Sequence, residues 1–205
     1  AKSFALKNQA LTVSSSVSWQ EASDYLAPLG LDLLMWPTDK TALIASGVAT
    51  SATGERAFAF GPLRDHLLAL KFIDGQGKSH QLSAEISLIS SSLISAPARR
   101  LLEAYQETTL PFLQFKNPPF PRLQVETDLL CGSEGQLGAI TEVTLKVGKK
   151  LNSDFFVLPM PSWKKSFAVH LEIFKLLQSQ RGQVLACELI DHDSLAFLPL
   201  EERFA

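Results

Sequence analysis

The sequence predicts an α+β chain, mostly antiparallel sheet with flanking helices, and three observations point there. First, Cys131-Gly132-Ser133-Glu134-Gly135-Gln136-Leu137-Gly138 follows an apolar run, Leu129, Leu130 and Cys131. It precedes a segment in which Ala139, Val143, Leu145 and Val147 are apolar while Glu142, Thr144 and Lys146 are not. This reads as strand, tight glycine turn, strand. Second, residues 67–73 and 78–89 flank Asp74-Gly75-Gln76-Gly77, the composition of a hairpin turn. Third, helical signals stand at 18–26, 97–107 and 162–177.

Taken in order, residues 10–17 have strand character. Ser18-Trp19-Gln20-Glu21 is a capping box, in which the Ser18 hydroxyl accepts from the third helical N–H and the Glu21 carboxylate accepts from the cap N–H. The helix runs to about Leu26 and ends near Pro28 and Gly30. Trp36-Pro37-Thr38-Asp39 breaks the pattern, and 41–53 is small, weakly polar and punctuated by Gly47, which predicts a buried loop. The second hairpin arm alternates through Leu82, Ala84, Ile86 and Leu88 and dissolves into Ser90-Ser91-Ser92, a strand end and loop. Pro97 opens the next helix, with Leu101, Leu102 and Tyr105 on one side. Pro111, Pro118, Pro119 and Pro121 make 111–122 an extended, stiff loop. Beyond Val147, Gly148-Lys149-Lys150 is a polar break and 155–158 reads as a strand. Ser162 caps a helix with Trp163, Phe167, Leu171, Phe174 and Leu177 on its apolar face. Residues 184–189 read as a strand, and Asp193 opens another helix. This strand, helix, strand succession predicts a second domain over 149–205, after a first over 1–148.

Composition narrows the function. The chain has 205 residues, 46% of them hydrophobic, and a net charge of −2, so nucleic acid is not an expected partner. No apolar run approaches the roughly 18 residues of a membrane span, and no charged-then-apolar leader opens the chain, so a soluble, cytoplasmic protein is expected. Cys131 and Cys187 lack a C-x-x-C spacing and read as reduced thiols of buried strands. His66, His80, His170 and His192 show no metal-ligand spacing, and the neighbours in Asp191-His192-Asp193 diverge, so no metal is expected. Arg64 and Asp65 read as an exposed pair, and Lys164-Lys165 as a solvated helix face. The glycine motif stands out: glycine reaches positive φ without strain and carries no Cβ, so the turn can bring backbone N–H groups against a ligand. It is a candidate anion or cofactor cradle, with a plain chain reversal as the alternative. Glu134, the motif's only carboxylate, reads as an acceptor for backbone N–H groups that holds the turn.

The order of residues in Gly132-Ser133-Glu134-Gly135-Gln136-Leu137-Gly138 resembles the Gly-Ser-Glu-Gly-Thr-Leu-Gly signature of FAD-linked oxidases of the vanillyl-alcohol oxidase type. Upstream, Gly47-Val48-Ala49-Thr50-Ser51-Ala52-Thr53-Gly54, then Phe60-Gly61 and Arg64-Asp65, is similar to the family's Gly-Gly-x-Val-Ala-Thr-Asn-x-x-Gly, Tyr-Gly and Arg-Asp succession. The resemblance implies the second subdomain of a PCMH-type FAD-binding domain over 1–148 and the beginning of a ferredoxin-like cap domain over 149–205. It implies FAD as cofactor, with contacts from Thr50, Ser51, Ala52, Thr53, Gly132, Ser133, Glu134, Gly135, Gln136, Leu137 and Gly138. Ile140 and Thr141 are expected at the adenosine end; Ile140 is apolar on the polar face of its strand, as if something covers it. Of the family's Asn-x-x-Gly-Tyr-Asp-Leu stretch only Asp128-Leu129 remains, and no glycine-rich pyrophosphate loop precedes Ala10.

The implied activity is an FAD-dependent oxidoreductase, whole or as a fragment, that takes hydride from a small 2-hydroxy acid or similar alcohol. Missing segments or a partner chain would supply the pyrophosphate loop. The alternative is a non-catalytic scaffold that keeps the fold and binds FAD weakly or not at all; no catalytic residue is assigned. Gly135→Val is expected to weaken FAD binding more than folding, because a Cβ would block the approach to the turn; FAD affinity per folded molecule checks this.

Overall fold

The computed structural model describes residues 2–113, 122–160, 163–180, 182–190, 194 and 197. Strands β1 (Phe4–Lys7), β2 (Ala10–Ser14), β3 (Leu31–Leu33), β4 (Leu67–Ile73), β5 (Ser79–Ser83) and β6 (Ala139–Lys149) form one sheet in the order β1-β2-β6-β4-β5, with β3 added at the far end of β6. Every pairing is antiparallel. The helices are α1 (Trp19–Leu26), α2 (Ile44–Ala49), α3 (Ala57–Phe60), α4 (Ala96–Thr109) and α5 (Trp163–Ser179). The α+β architecture, an antiparallel sheet with flanking helices, is the one the sequence predicts.

Strand β6 is the axis of this arrangement because it bonds to β2, β4 and β3. Its Val143, Leu145 and Val147 are buried, alternating with polar neighbours, and lie opposite Leu11 and Val13 of β2 and Leu70 of β4. Trp19, Ala22 and Leu26 of α1 and Ile44 and Val48 of α2 close the core over that face. Toward its start β6 carries a bulge: Lys71 faces Glu142 but Phe72 faces Ile140. One extra residue turns the side chains of a strand over. Ile140 therefore packs, partly buried, against the core.

Several expectations change in tertiary context. Helix α1 and its capping box form as predicted, with the Glu21 N–H donating to Ser18 Oγ at 3.2 Å and the Ser18 N–H to Glu21 Oε2 at 3.0 Å. Strand β1 had no sequence signal: it is four residues long, and its hairpin turns on Asn8 and Gln9, non-glycine residues with φ of 50° and 60°. Residues 44–49, predicted as loop, are helix α2. Gly47 disfavours a helix by itself, but a Cβ there would come 2.9 Å from Trp19 Cζ2, so the glycine is what lets α2 lie against α1.

Leu129, Leu130 and Cys131 are not a strand: 126–129 form a 3-10 turn whose buried Glu126 accepts from Ser83 N–H at 3.0 Å and Ser91 Oγ–H at 2.6 Å. Buried Cys131 accordingly sits in a turn. Strand β5 stops at Ser83, whose outward N–H is held by that carboxylate. In α4, capped by Ser95, Leu102 is buried but Leu101 is 75% exposed, one position too far round the helix. The predicted strands at 155–158 and 184–189 do not form; Phe155 and Phe156 are 89% and 79% exposed, and no strand among the described residues pairs with either segment. Cys187 is part-buried outside any strand. Helix α5 forms, and its Phe174 meets Phe58 of α3 edge-on at 6.3 Å. Ser162, Asp191, His192, Asp193 and the prolines at 118, 119 and 121 lie outside the described residues.

Two predictions follow from the packing. An ideal Cβ on Gly138 would lie 2.2 Å from the Ile73 carbonyl oxygen, whereas one on Gly135 meets nothing within 4 Å. Gly138→Ala should therefore lower unfolding free energy by about 1–3 kcal/mol or more through overpacking, and Gly135→Ala by about 1–2 kcal/mol through its φ of +80° alone; urea unfolding separates them. The second concerns His66, which is buried, chiefly by desolvation holding its pKa below the ordinary 6.5. The folded state favours the neutral ring, so below pH 6.5 the unfolded chain binds a proton that the folded chain resists, and stability falls. Above pH 6.5 this contribution is flat. Denaturant midpoints at neutral and mildly acidic pH should diverge in the wild type and diverge less in His66→Gln.

Candidate functional site

Helix α2 is too short to satisfy its last carbonyls internally, and the glycine turn takes them. The Gly132 N–H donates to Val48 O at 3.1 Å and the Glu134 N–H to Ala49 O at 2.9 Å. The chain leaving α2 folds back on the same end, with Ser51 N–H to Val48 O at 3.0 Å and Ala52 N–H to Gly47 O at 2.8 Å. Residues 50–52 and 132–134, far apart in sequence, are thereby fixed side by side, and a Cβ on Gly132 would stand 3.5 Å from that of Ser51.

This docking changes what the turn offers. The expectation was a row of bare N–H groups, but Gly132 and Glu134 are engaged by α2, Ser133 donates to Leu130 O, Gln136 to Ser133 O and Gly138 to Gly135 O. Among the described residues the Gly135 and Leu137 amides donate to no acceptor. Glu134 holds the turn with its amide, not its exposed carboxylate, and does so at φ 51°. Ser51 at 53° and Leu123 at 50° share that unfavourable region, a clustering of backbone strain typical of functional sites.

Beside the turn lies a hollow of about 170 Å³ bordered by Leu123, Asp128, Cys131, Gly132, Gln136 and Leu137. That is below the roughly 300–1,000 Å³ of a pocket enclosing a drug-sized ligand, so it can take one portion of a larger molecule. Thr50, Ser51, Ala52 and Thr53 lie at the α2 end, and none of them lines this hollow. Gly138 is required by its contact with Ile73 O, and the Thr141 hydroxyl donates to Lys71 O at 3.2 Å across the bulge. Both serve the sheet, as does Ile140.

A charged network, which the sequence did not reveal, frames the hollow. Asp128, with its side chain 1% exposed, accepts from the Gln124 and Val125 N–H groups at 2.9 and 3.1 Å. Arg122 reaches Asp128 with Nη2 at 3.1 Å and Asp65 with Nη1 at 2.6 Å, joining the 3-10 turn at 63–66 to the one at 126–129. Burial pulls the Arg122 pKa down, but the two carboxylates outweigh it and hold the proton above the ordinary range. The expected Arg64–Asp65 pair does not form, because adjacent residues point apart: Asp65 faces Arg122, and Arg64 Nη2 donates to Ser51 Oγ at 2.6 Å. Burial raises the Cys131 thiol to about 12, so it is a protonated wall group, not a nucleophile. Among the described residues no group of three or more His, Cys, Asp or Glu could hold a metal ion, and no helix is long and apolar enough to cross a membrane.

Residues 2–83 match the family described as FAD binding domain. The chain is 26% identical over 150 residues to the mitochondrial D-lactate dehydrogenase [cytochrome] of Arabidopsis thaliana, covering 72% of this chain and 20% of that protein. It is 32% identical over 113 residues to a D-lactate dehydrogenase of Anaerostipes hadrus, covering 54% and 17%. It thus spans at most about a fifth of these relatives. Two solved structures of alkyldihydroxyacetonephosphate synthase align with TM-scores of 0.45 and 0.48, at 17% and 15% identity, over 69% and 72% of this chain and 21% of each of theirs.

Removing Arg122 would leave Asp128 buried without its counter-charge, so Arg122→Ala should cost about 3 kcal/mol of unfolding free energy. Asp65 is 39% exposed, and Asp65→Asn should cost less than about 1 kcal/mol. Urea denaturation of the two variants checks the order.

Proposed function

We propose, from the match of residues 2–83 to the FAD binding domain family, that the chain is part of an oxidoreductase that uses FAD to oxidise a 2-hydroxy acid or similar alcohol. One observation carries the reading. Two separate segments are seated on the end of α2 and leave the Ser51 hydroxyl and the Gly135 and Leu137 amides without acceptors among the described residues. Hydrogen-bond donors without acceptors on two segments held side by side fit an anionic nucleotide, and the absence of any atom within 4 Å of a Cβ at Gly135 leaves room for it.

Thr50, Ser51, Ala52 and Thr53 would border the cofactor on one side and Gly132, Ser133, Glu134, Gly135, Gln136 and Leu137 on the other. Gly138, Ile140 and Thr141 hold the strand beneath. When bound, FAD supplies the two-electron acceptor for a hydride from the alcohol carbon. The chain's residues orient it: α2 fixes Gly132 and Glu134, Arg122 fixes the rim, and the raised Cys131 thiol keeps that wall uncharged. The hydroxy-acid class is supported by the names of the D-lactate dehydrogenases that the chain resembles. Further pyrophosphate contacts would come from other parts of a longer polypeptide or from a partner chain.

A second reading, a scaffold that binds FAD weakly or not at all, is favoured by the engagement of the Gly132 and Glu134 amides with α2. Flavin fluorescence during FAD titration decides between them: quenching that saturates supports the cofactor role, and an unchanged signal with no thermal shift supports the scaffold. Bleaching of bound flavin by D-lactate without oxygen tests the substrate class. Since Gly135 has φ +80°, Val there would be strained whatever the ligand. Asn tolerates that region, so Gly135→Asn should fold and still raise the FAD dissociation constant about ten-fold, because its side chain would hold the ligand off the Gly135 amide at the cost of roughly one hydrogen bond.

A further inference from the structure

Arg64 stands beneath the cradle in an unusual state. Its Nε and Nη1 are buried and have no hydrogen-bond partner among the described residues, and no carboxylate there forms a salt bridge with it, since Asp65 is turned to Arg122. A guanidinium held this way is costly unless some negative charge compensates it. Among the described residues its one hydrogen bond is Nη2 to Ser51 Oγ at 2.6 Å. A hydroxyl oxygen that accepts from a cation keeps its own proton for donation, and the cation strengthens that donor. Ser51 has no other freedom: its N–H is bound to Val48 O, its φ is 53°, and the next N–H is bound to Gly47 O. Its hydroxyl proton has no acceptor among the described residues. Gly132 lies alongside, so the edge on which Ser51 stands is that of the glycine turn.

We infer that Arg64 and Ser51 form an anion-recognition relay, in which the buried guanidinium charges the Ser51 hydroxyl as a donor to a phosphate oxygen of the flavin nucleotide. Ser51 would touch the ligand; Arg64 is a positioning residue that acts through it. The inference rests on the cofactor reading of the preceding subsection, and it adds a role for Arg64 and a charge dependence that this reading does not require.

The test compares FAD with riboflavin, which has the same ring system and no phosphate, by fluorescence titration of the full chain at low and high salt. In the wild type, FAD affinity should fall with salt while riboflavin affinity stays constant. Ser51→Gly removes the hydroxyl at a φ that glycine accepts, so folding is kept. It and Arg64→Met should each raise the FAD dissociation constant about ten- to a hundred-fold, and the double variant no further than the single ones. Riboflavin binding should be unchanged. Arg64→Lys, which retains the charge, should recover part of the loss and stands in if Arg64→Met does not fold. Equal losses for FAD and riboflavin, additive effects, or salt-independent FAD binding by the wild type would overturn the relay and leave the cofactor reading in place. A wild-type chain that binds neither flavin would overturn both.

Discussion

The C-terminal end of α2 is the point on which the site depends. A six-residue helix leaves carbonyls that must find donors, and here the donors are amides of the glycine turn and of the chain leaving the helix. Those bonds fix the position of Ser51 relative to Gly132. They also explain why the turn needs positive φ at Gly132 and Glu134: a sharply curled backbone aims the alternate amides of these two residues at one helix end.

The sheet supplies the rigidity behind that contact. Strand β6 begins directly after the turn and is held by three neighbours, so the turn has little freedom to drift. Gly138, pressed against Ile73 O, sets where the turn ends and the strand begins. On the other side, Arg122 binds the two 3-10 turns through Asp65 and Asp128. Rim and base are thus fixed by different forces, ion pairing in one case and backbone ladder in the other, which lets a small hollow persist beside a dense core.

The charges around the hollow are arranged unequally. Asp65 and Asp128 share Arg122, two carboxylates on one guanidinium. Arg64 makes no salt bridge among the described residues, and its Nη2 donates to Ser51 Oγ. A guanidinium outside any salt bridge, behind an edge where amides lack acceptors, is a local feature that favours an anionic nucleotide.

What the sequence determined by itself was local. The capping box at Ser18 and Glu21, the hairpin at 74–77, the amphipathic α4 and α5 and the glycine turn depend on residues close in the chain, whose propensities and spacing are visible there. The two motif segments, Thr50 to Thr53 and Gly132 to Gly138, were legible as candidates for the same reason. Tertiary structure decided whatever depended on distant partners. Gly47 became helical because Trp19 needed the space, the Leu129 run became a 3-10 turn because Glu126 found Ser83 and Ser91, and Ile140 turned inward because of a bulge opposite Lys71 and Phe72. The Arg64–Ser51 bond and the Asp65–Arg122–Asp128 network leave no trace in local pattern, since a side chain's partner across the fold is chosen by backbone geometry that only the assembled sheet creates.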